Sequence, residues 1–473
     1  MNRILAISVL VISLFLSGCA STWTSDTKVA AKTKRSKRAQ RAQVVNINGQ
    51  SIGNITDDSN DLWNRVRDGF EIPDPDEPLI IKHTQQLSSN PEYVKRLMLR
   101  SATYLFYIVE EVEARDMPSE LALLPFVESA FNPKAVSPAK ASGMWQFMPA
   151  TGRSYNLKQN TFRDERLDII HSTRAALDYL GRLYQMFGDW QLALAAYNWG
   201  EGSVARAIAR NKAAGLPTDY FSLKMPNETR NYVPKLLAYK RVVENPMSYG
   251  FVLPPVENHP YFVAVKLDKD IDLDLVIQLS EISRDQFLSL NPSFNKPLIL
   301  SAANPSILLP FGKAEIFQDN LRKYQKPLST LTAVLIDRTE TVDKVAANLN
   351  VDAAYLRQLN NIPAGMKIRA GSTVVIPKTN DKDGDVPVHL ADNGLLNLEK
   401  EFTPVGLKCR GKNCHGQGPT PAASRNHHAV LPTGNRKKTV GTSSKSTNKP
   451  KTEGKSAGKT PSTQVKKTTS QKH

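Results

Sequence analysis

The chain has 473 residues, too many for one ordinary domain, and its 40% hydrophobic content allows a sizeable core. Its net charge is +17, but eleven lysines and arginines against the single acid Glu453 fall between Arg436 and His473, and seven more between Lys28 and Arg41. The excess therefore sits in two polar stretches that attract polyanions by salt-screened forces. Nucleic acid is one candidate partner, anionic lipid headgroups and anionic cell-wall polymers are others favoured by the N-terminus, and no specific nucleic-acid recognition is expected.

The first element is Met1-Asn2-Arg3 followed by an apolar run from Ile4 to Leu16 and then Ser17-Gly18-Cys19. A positive start, a short apolar core and a small-residue exit describe a secretory signal over residues 1–18. The run is too short for a comfortable membrane-spanning helix, which needs about 20 residues. Leu16-Ser-Gly-Cys19 resembles the bacterial lipobox, which implies lipidation of Cys19. Ala20 rather than Asp follows, so the resemblance implies the periplasmic face of a Gram-negative outer membrane. Residues 19–60 read as a lipid-anchored, flexible basic tether. Cys409 and Cys414 are the remaining cysteines, and an oxidising compartment permits either a small disulfide loop or, with His415, a metal site.

Helical spacing dominates residues 61–250. Apolar residues from Val94 to Val109 recur every three or four positions, predicting one helix over 93–114. Further helices are expected from Pro118 through Val127, over 171–187, 190–197, 203–210 and 228–244. After Pro254-Pro255 the chain contains a degenerate internal repeat. Val265 and Val334, Asp268 and Asp337, and Asn291 and Asn360 are each 69 residues apart. Each copy, 256–312 and 328–379, reads as a short strand, two short helices and a second strand. From residue 380 to 473 hydrophobic periodicity fades, and the composition predicts a disordered basic tail with affinity for anionic surfaces.

Chemistry concentrates in three places. Glu128 closes the apolar run Leu121-Ala-Leu-Leu-Pro-Phe-Val127. Burial raises a carboxyl pKa, so such a group can keep a proton near neutral pH and give it to a leaving oxygen. The plainer alternative is a glutamate that caps or salt-bridges at a helix end. Next, Gly143-Met-Trp-Gln-Phe-Met148 offers a close backbone approach, the ring faces of Trp145 and Phe147, and the amide of Gln146. These features suit a sugar cleft, although an aromatic and methionine cluster also fills cores. Last come Ala196-Tyr197-Asn198-Trp-Gly200 and Glu228-Thr-Arg-Asn-Tyr232.

In this order the motifs resemble the goose-lysozyme-like catalytic domain of soluble lytic transglycosylases. With the Asp61-Leu-Trp-Asn-Arg-Val-Arg-Asp-Gly-Phe70 opening and the C-terminal repeats, residues 1 to about 378 resemble a membrane-bound lytic murein transglycosylase. The resemblance implies an all-helical, lysozyme-like domain followed by two β-α-α-β modules like the LysM units that grip N-acetylglucosamine chains. The second copy is the better match, although Arg338-Thr-Glu-Thr341 replaces the usual Gly-Asp-Thr opening. By the same resemblance Glu128 is the single general acid/base, Ser137 lies near the reacting sugar, and Gln146 and Met148 line the groove. Tyr197 and Asn198 position the sugar, Tyr232 hydrogen-bonds the catalytic acid, and Ser129 is structural. Trp145 departs from the methionine of the soluble members.

The implied substrate is the peptidoglycan glycan strand, cut without cofactor, metal or water. A hydrolytic muramidase would need a second acid; Asp164, Glu165 and Asp168 are the nearest, but Arg163 and Arg166 interleave them as in a solvated or salt-bridged turn. A non-catalytic wall-binding lipoprotein is the third reading.

Overall fold

The computed structural model describes residues 61–303, 305–379 and 384–401. The signal sequence, Cys19, the tether, the Cys409–Cys414 pair and the basic C-terminal stretch lie outside these residues. Among the described residues no helix is long and apolar enough to cross a membrane.

Helix α1 (Leu62–Asp68) starts at Asp61, whose carboxylate caps the Trp63 N–H at 3.2 Å. Trp63 is fully buried and its indole N–H donates to Pro254 O at 3.0 Å, so the two ends of the helical domain are pinned together. Helices α2 (Pro78–Ser88) and α3 (Pro91–Ser101) both open on proline, where the missing N–H costs nothing. The single helix expected over 93–114 is two: α3 ends at Ser101 and α4 spans Leu105–Glu113. At the break, the Ser101 hydroxyl donates to Met98 O at 2.8 Å and the Tyr104 N–H to Ser101 O at 2.9 Å, in place of the regular ladder.

A 3-10 turn (Ser119–Leu123) runs into the short α5 (Leu124–Glu128). After a long loop come α6 (Pro149–Ser154), α7 (Ile169–Phe187), α8 (Trp190–Trp199), α9 (Glu201–Ala213) and α10 (Asn227–Glu244). Leu105, Ile108, Leu121, Leu180, Leu194 and Leu236, all fully buried, fill the space between them. Phe126 of α5 stacks on Tyr239 of α10 at 4.8 Å and meets the edge of Phe131 at 4.5 Å. Burying such a ring contributes roughly 2–3 kcal/mol; here it fixes the helix that carries Glu128.

The repeats follow: β1 (Phe262–Lys266), β2 (Ile271–Asp272), α11 (Leu273–Ser280), α12 (Arg284–Leu290), β3 (Leu298–Ile299) and β4 (Ser306–Pro310), then the connecting α13 (Phe311–Lys323). The second copy has β5 (Leu331–Ile336), β6 (Glu340–Thr341), α14 (Val342–Asn348), α15 (Ala353–Asn360), β7 (Met366–Ile368) and β8 (Ser372–Pro377). In each, the outer strands pair antiparallel, Ala264 opposite Leu308 and Ala333 opposite Val375. The short inner strands pair as well, an addition to the expected β-α-α-β pattern.

Asn291 and Asn360 explain their shared register. Asn291 donates to Leu308 O at 2.8 Å and accepts from Leu308 N at 2.7 Å. Asn360 does the same to Val375, at 2.7 Å both ways. Each amide completes the outer edge of its closing strand, as a neighbouring strand would.

Ordered chain continues past residue 380, contrary to expectation. Helix α16 (Val388–Asn393) and strand β9 (Leu398–Lys400) follow, and β9 pairs with β7. Buried Val386 and Ala391 join Phe162 of the catalytic domain and Leu298, Leu331, Leu359 and Val375 of both repeats in one cluster. Two buried apolar anchors in a polar stretch suffice because the surface they cover is already built.

Candidate active site

Glu128 is the last residue of α5, and the chain then turns sharply. Ala130 and Phe131 take φ values of +55° and +54°, unfavourable for side-chain-bearing residues. The turn is held by Phe131 N–H on Pro125 O at 3.0 Å and by Arg100 on Ala130 O at 2.9 Å. Ser129 donates to Met144 O at 2.8 Å and accepts from Asn132 N, tying the helix end to the next loop. Strain kept under this many restraints is a mark of functional sites.

The Glu128 carboxylate is half-buried, and the hydroxyl of buried Tyr232 donates to its Oε1. Burial pushes the Glu128 pKa up to about 7; the Tyr232 hydrogen bond opposes that rise and the negative charge of Glu228 adds to it. Tyr197, whose pKa is raised by burial and then by the Glu128 charge, donates to Trp145 O at 2.9 Å. Asn198 accepts from Thr229 Oγ1 at 2.8 Å, joining α8 to α10 one turn before Tyr232. Thr229 belongs to the Thr-Arg-x-Tyr motif, but the sequence reading gives it no role of its own.

The loop over 134–148 carries Ser137, Gln146 and Met148. Ser137 accepts the Ala141 N–H at 3.0 Å and so closes its own turn. Gln146, at φ +50°, donates to Gly143 O at 2.8 Å. Met148 is 44% exposed. None of the three has a hydrogen bond to Glu128 among the described residues. Gly143 has φ +84°, and a Cβ there would lie 1.9 Å from Arg166 O, so only glycine fits. The rings of Trp145 and Phe147 do not face a cleft, as the sequence reading allowed. Trp145 is fully buried with its N–H on Thr173 Oγ1 at 2.9 Å, and Phe147 is 2% exposed. They are core residues whose backbone, not whose faces, borders the site.

The three acids weighed as a second carboxylate are committed elsewhere. Asp164 pairs with Arg166 at 2.6 Å. Glu165 pairs with Arg163 at 2.7 Å and accepts Lys158 N at 2.7 Å. Asp168 caps α7 through Ile170 N and His171 N. The turn is salt-bridged as expected, and buried rather than solvated.

Residues 107–217 match the family described as transglycosylase SLT domain. Residues 261–326 match lytic transglycosylase MltD, LysM-like domain, which falls on the first repeat and α13. Over 387 residues the chain is 34% identical to membrane-bound lytic murein transglycosylase D of Escherichia coli K12, covering 78% of this chain and 84% of that one. The chain belongs to that family. As a lytic murein transglycosylase it combines a helical SLT domain with a LysM-like module. The soluble lytic murein transglycosylase of Escherichia coli K12 is 34% identical over 132 residues, 26% of this chain and 20% of that one. A crystal structure of the 70 kDa soluble lytic transglycosylase from Escherichia coli is 30% identical over 28% of this chain and 22% of its own, with a TM-score of 0.24.

Proposed function

We propose that this transglycosylase cuts the β-1,4 bond between N-acetylmuramic acid and N-acetylglucosamine with Glu128 as its one acid and base. The observation that carries the reading is a half-buried carboxyl with a pKa near 7, hydrogen-bonded by Tyr232, while the candidate second acids are tied up in ion pairs and a helix cap.

Glu128 first gives its proton to the glycosidic oxygen, and the C1–O bond breaks. Positive charge develops at the muramic C1, which the sugar's N-acetyl oxygen and site dipoles stabilise. Glu128, now a carboxylate, takes the proton from the C6 hydroxyl of the same muramic residue, and that oxygen closes on C1. The product carries a 1,6-anhydro ring, no water is consumed, and Glu128 ends protonated as it began. Two-carboxylate glycosidases divide these tasks between groups. A carboxyl that must be donor and then acceptor works best with a pKa near the operating pH.

Ser137, Gln146, Met148, Tyr197 and Asn198 line and order the groove in this reading, and the LysM-like modules hold the strand. Lipidation at Cys19 would place the enzyme on the periplasmic face of the outer membrane, with the basic tail on anionic surfaces. The test is digestion of purified sacculi followed by mass spectrometry of the sugar ends. Anhydro ends are expected. Reducing ends would mean a hydrolase, and no soluble fragments a binding protein.

A further inference from the structure

We propose that Arg166 is a positioning residue: it holds the groove loop in register with Glu128 without touching the sugar. The proposal rests on the reading of Glu128 as the acid and base given above, and adds a residue that neither the motifs nor the acid/base chemistry assigns.

The stretch from Lys140 to Phe147 has little regular structure, yet five of its carbonyls accept from side chains. Arg166 Nη1 donates to Lys140 O at 2.8 Å and to Phe147 O at 3.2 Å, so one guanidinium clasps both ends. Between them, Gln146 holds Gly143 O, Ser129 holds Met144 O and Tyr197 holds Trp145 O. Two of these donors are the residue after Glu128 and a tyrosine whose pKa responds to the Glu128 charge. The loop is therefore registered to the carboxylate from inside, and Arg166 registers it to the rest of the domain.

The fit around Arg166 is close on every side. Its Nε and Nη2 fork onto Asp164 at 3.0 and 2.6 Å, and the residue is 8% exposed. Its own carbonyl occupies the space a Cβ on Gly143 would need. A Cβ on Gly152, in the helix after Met148, would come within 3.0 Å of its Cγ and Cδ. A planar fork can serve a carboxylate and two carbonyls together; a lysine ammonium is a point charge and cannot span them. Gln146 sits at a positive φ within this clasp, a conformation that persists only where the surroundings over-determine it.

The experiment uses the full-length protein and soluble glycan fragments, and compares Arg166→Ala and Arg166→Lys with Arg163→Ala. Arg163 is an equally buried arginine of the same turn; it pairs with Glu165 and reaches Ala303 O at 3.1 Å, not the groove loop. Both Arg166 variants are expected to raise KM by about tenfold or more, because a groove displaced by a fraction of an ångström binds and orients poorly. The inflection of the pH profile should stay in place, since Arg166 does not touch the acid. Millimolar guanidinium should recover part of the lost activity in Arg166→Ala and none in Arg163→Ala. If Arg166→Ala fails to fold, Arg166→Lys alone must still show the KM rise. An Arg166→Lys variant with unchanged KM overturns the proposal, as does guanidinium rescue that is equal in both alanine variants. Glu128→Gln run alongside separates the two claims: an inactive Glu128→Gln beside normal Arg166 variants sinks the positioning role alone, and an active one sinks the cleft.

Discussion

The Tyr232 hydroxyl donates to Glu128 Oε1 across 104 residues of sequence, joining the end of a five-residue helix to the first turns of the eighteen-residue α10. A donor to a carboxylate favours its charged form, while burial favours the neutral form. Burial prevails, and the carboxyl settles near 7 instead of rising further.

Because the cleavage step begins with protonated Glu128, kcat/KM should be level in mild acid and fall about tenfold per pH unit above roughly 7. A pH series on soluble glycan fragments checks this. An inflection near the ordinary carboxyl value would contradict it.

Tyr232→Phe removes the interaction that holds the pKa down and keeps the ring's packing. Its inflection should therefore move to higher pH than that of the unaltered protein. A downward move would show that the hydroxyl favours the neutral acid.

Stability should carry the same signature. The folded carboxyl binds its proton more tightly than the unfolded one, so its contribution to stability declines as pH rises from about 4.5 to 7. Glu128→Gln should then be more stable than the unaltered protein at pH 8, by on the order of 1–3 kcal/mol, and equal to it near pH 4. Thermal melts at the two pH values decide. An equal gap at both would assign the difference to packing.

In the repeats, Asn291→Ala and Asn360→Ala each strand the N–H and C=O of a buried closing strand. Leaving such groups unpaired costs about 2–3 kcal/mol. Denaturant titration of each variant measures the loss, and one below about 0.5 kcal/mol would argue against the clasp.

Asp168→Asn keeps an acceptor for Ile170 N and His171 N, so it should retain the α7 cap and turnover within about threefold of normal. Loss of activity with the fold intact would reopen the case for a second carboxylate.

Much of this was readable along the chain. Glu128 announced itself as one acid closing an apolar run, and the 69-residue spacing of Asn291 and Asn360 marked the repeats before any strand was seen. What escaped was non-local. Apolar spacing cannot tell a core ring from a cleft ring, so Trp145 and Phe147 were ambiguous. Strands of two residues, such as Ile271–Asp272, are too short to show alternation. Residues 384–401 are ordered by surfaces supplied from elsewhere, which their own polar composition does not advertise. Arg166 read as one partner in a salt-bridged turn; that it clasps two carbonyls of the groove loop depends on contacts up to 26 positions away.

Phe162 lies where the catalytic domain, both repeats and the segment after residue 384 converge, reinforced by Asn295 N–H on Phe162 O at 2.7 Å and Thr161 N–H on Gly394 O at 2.8 Å. The catalytic domain and the repeats are thereby joined through one buried cluster rather than by a bare linker. If the repeats hold a glycan strand as proposed, it would reach Glu128 at one set offset, like cloth fed past a fixed gauge, and the fragments released would favour particular lengths over a random spread.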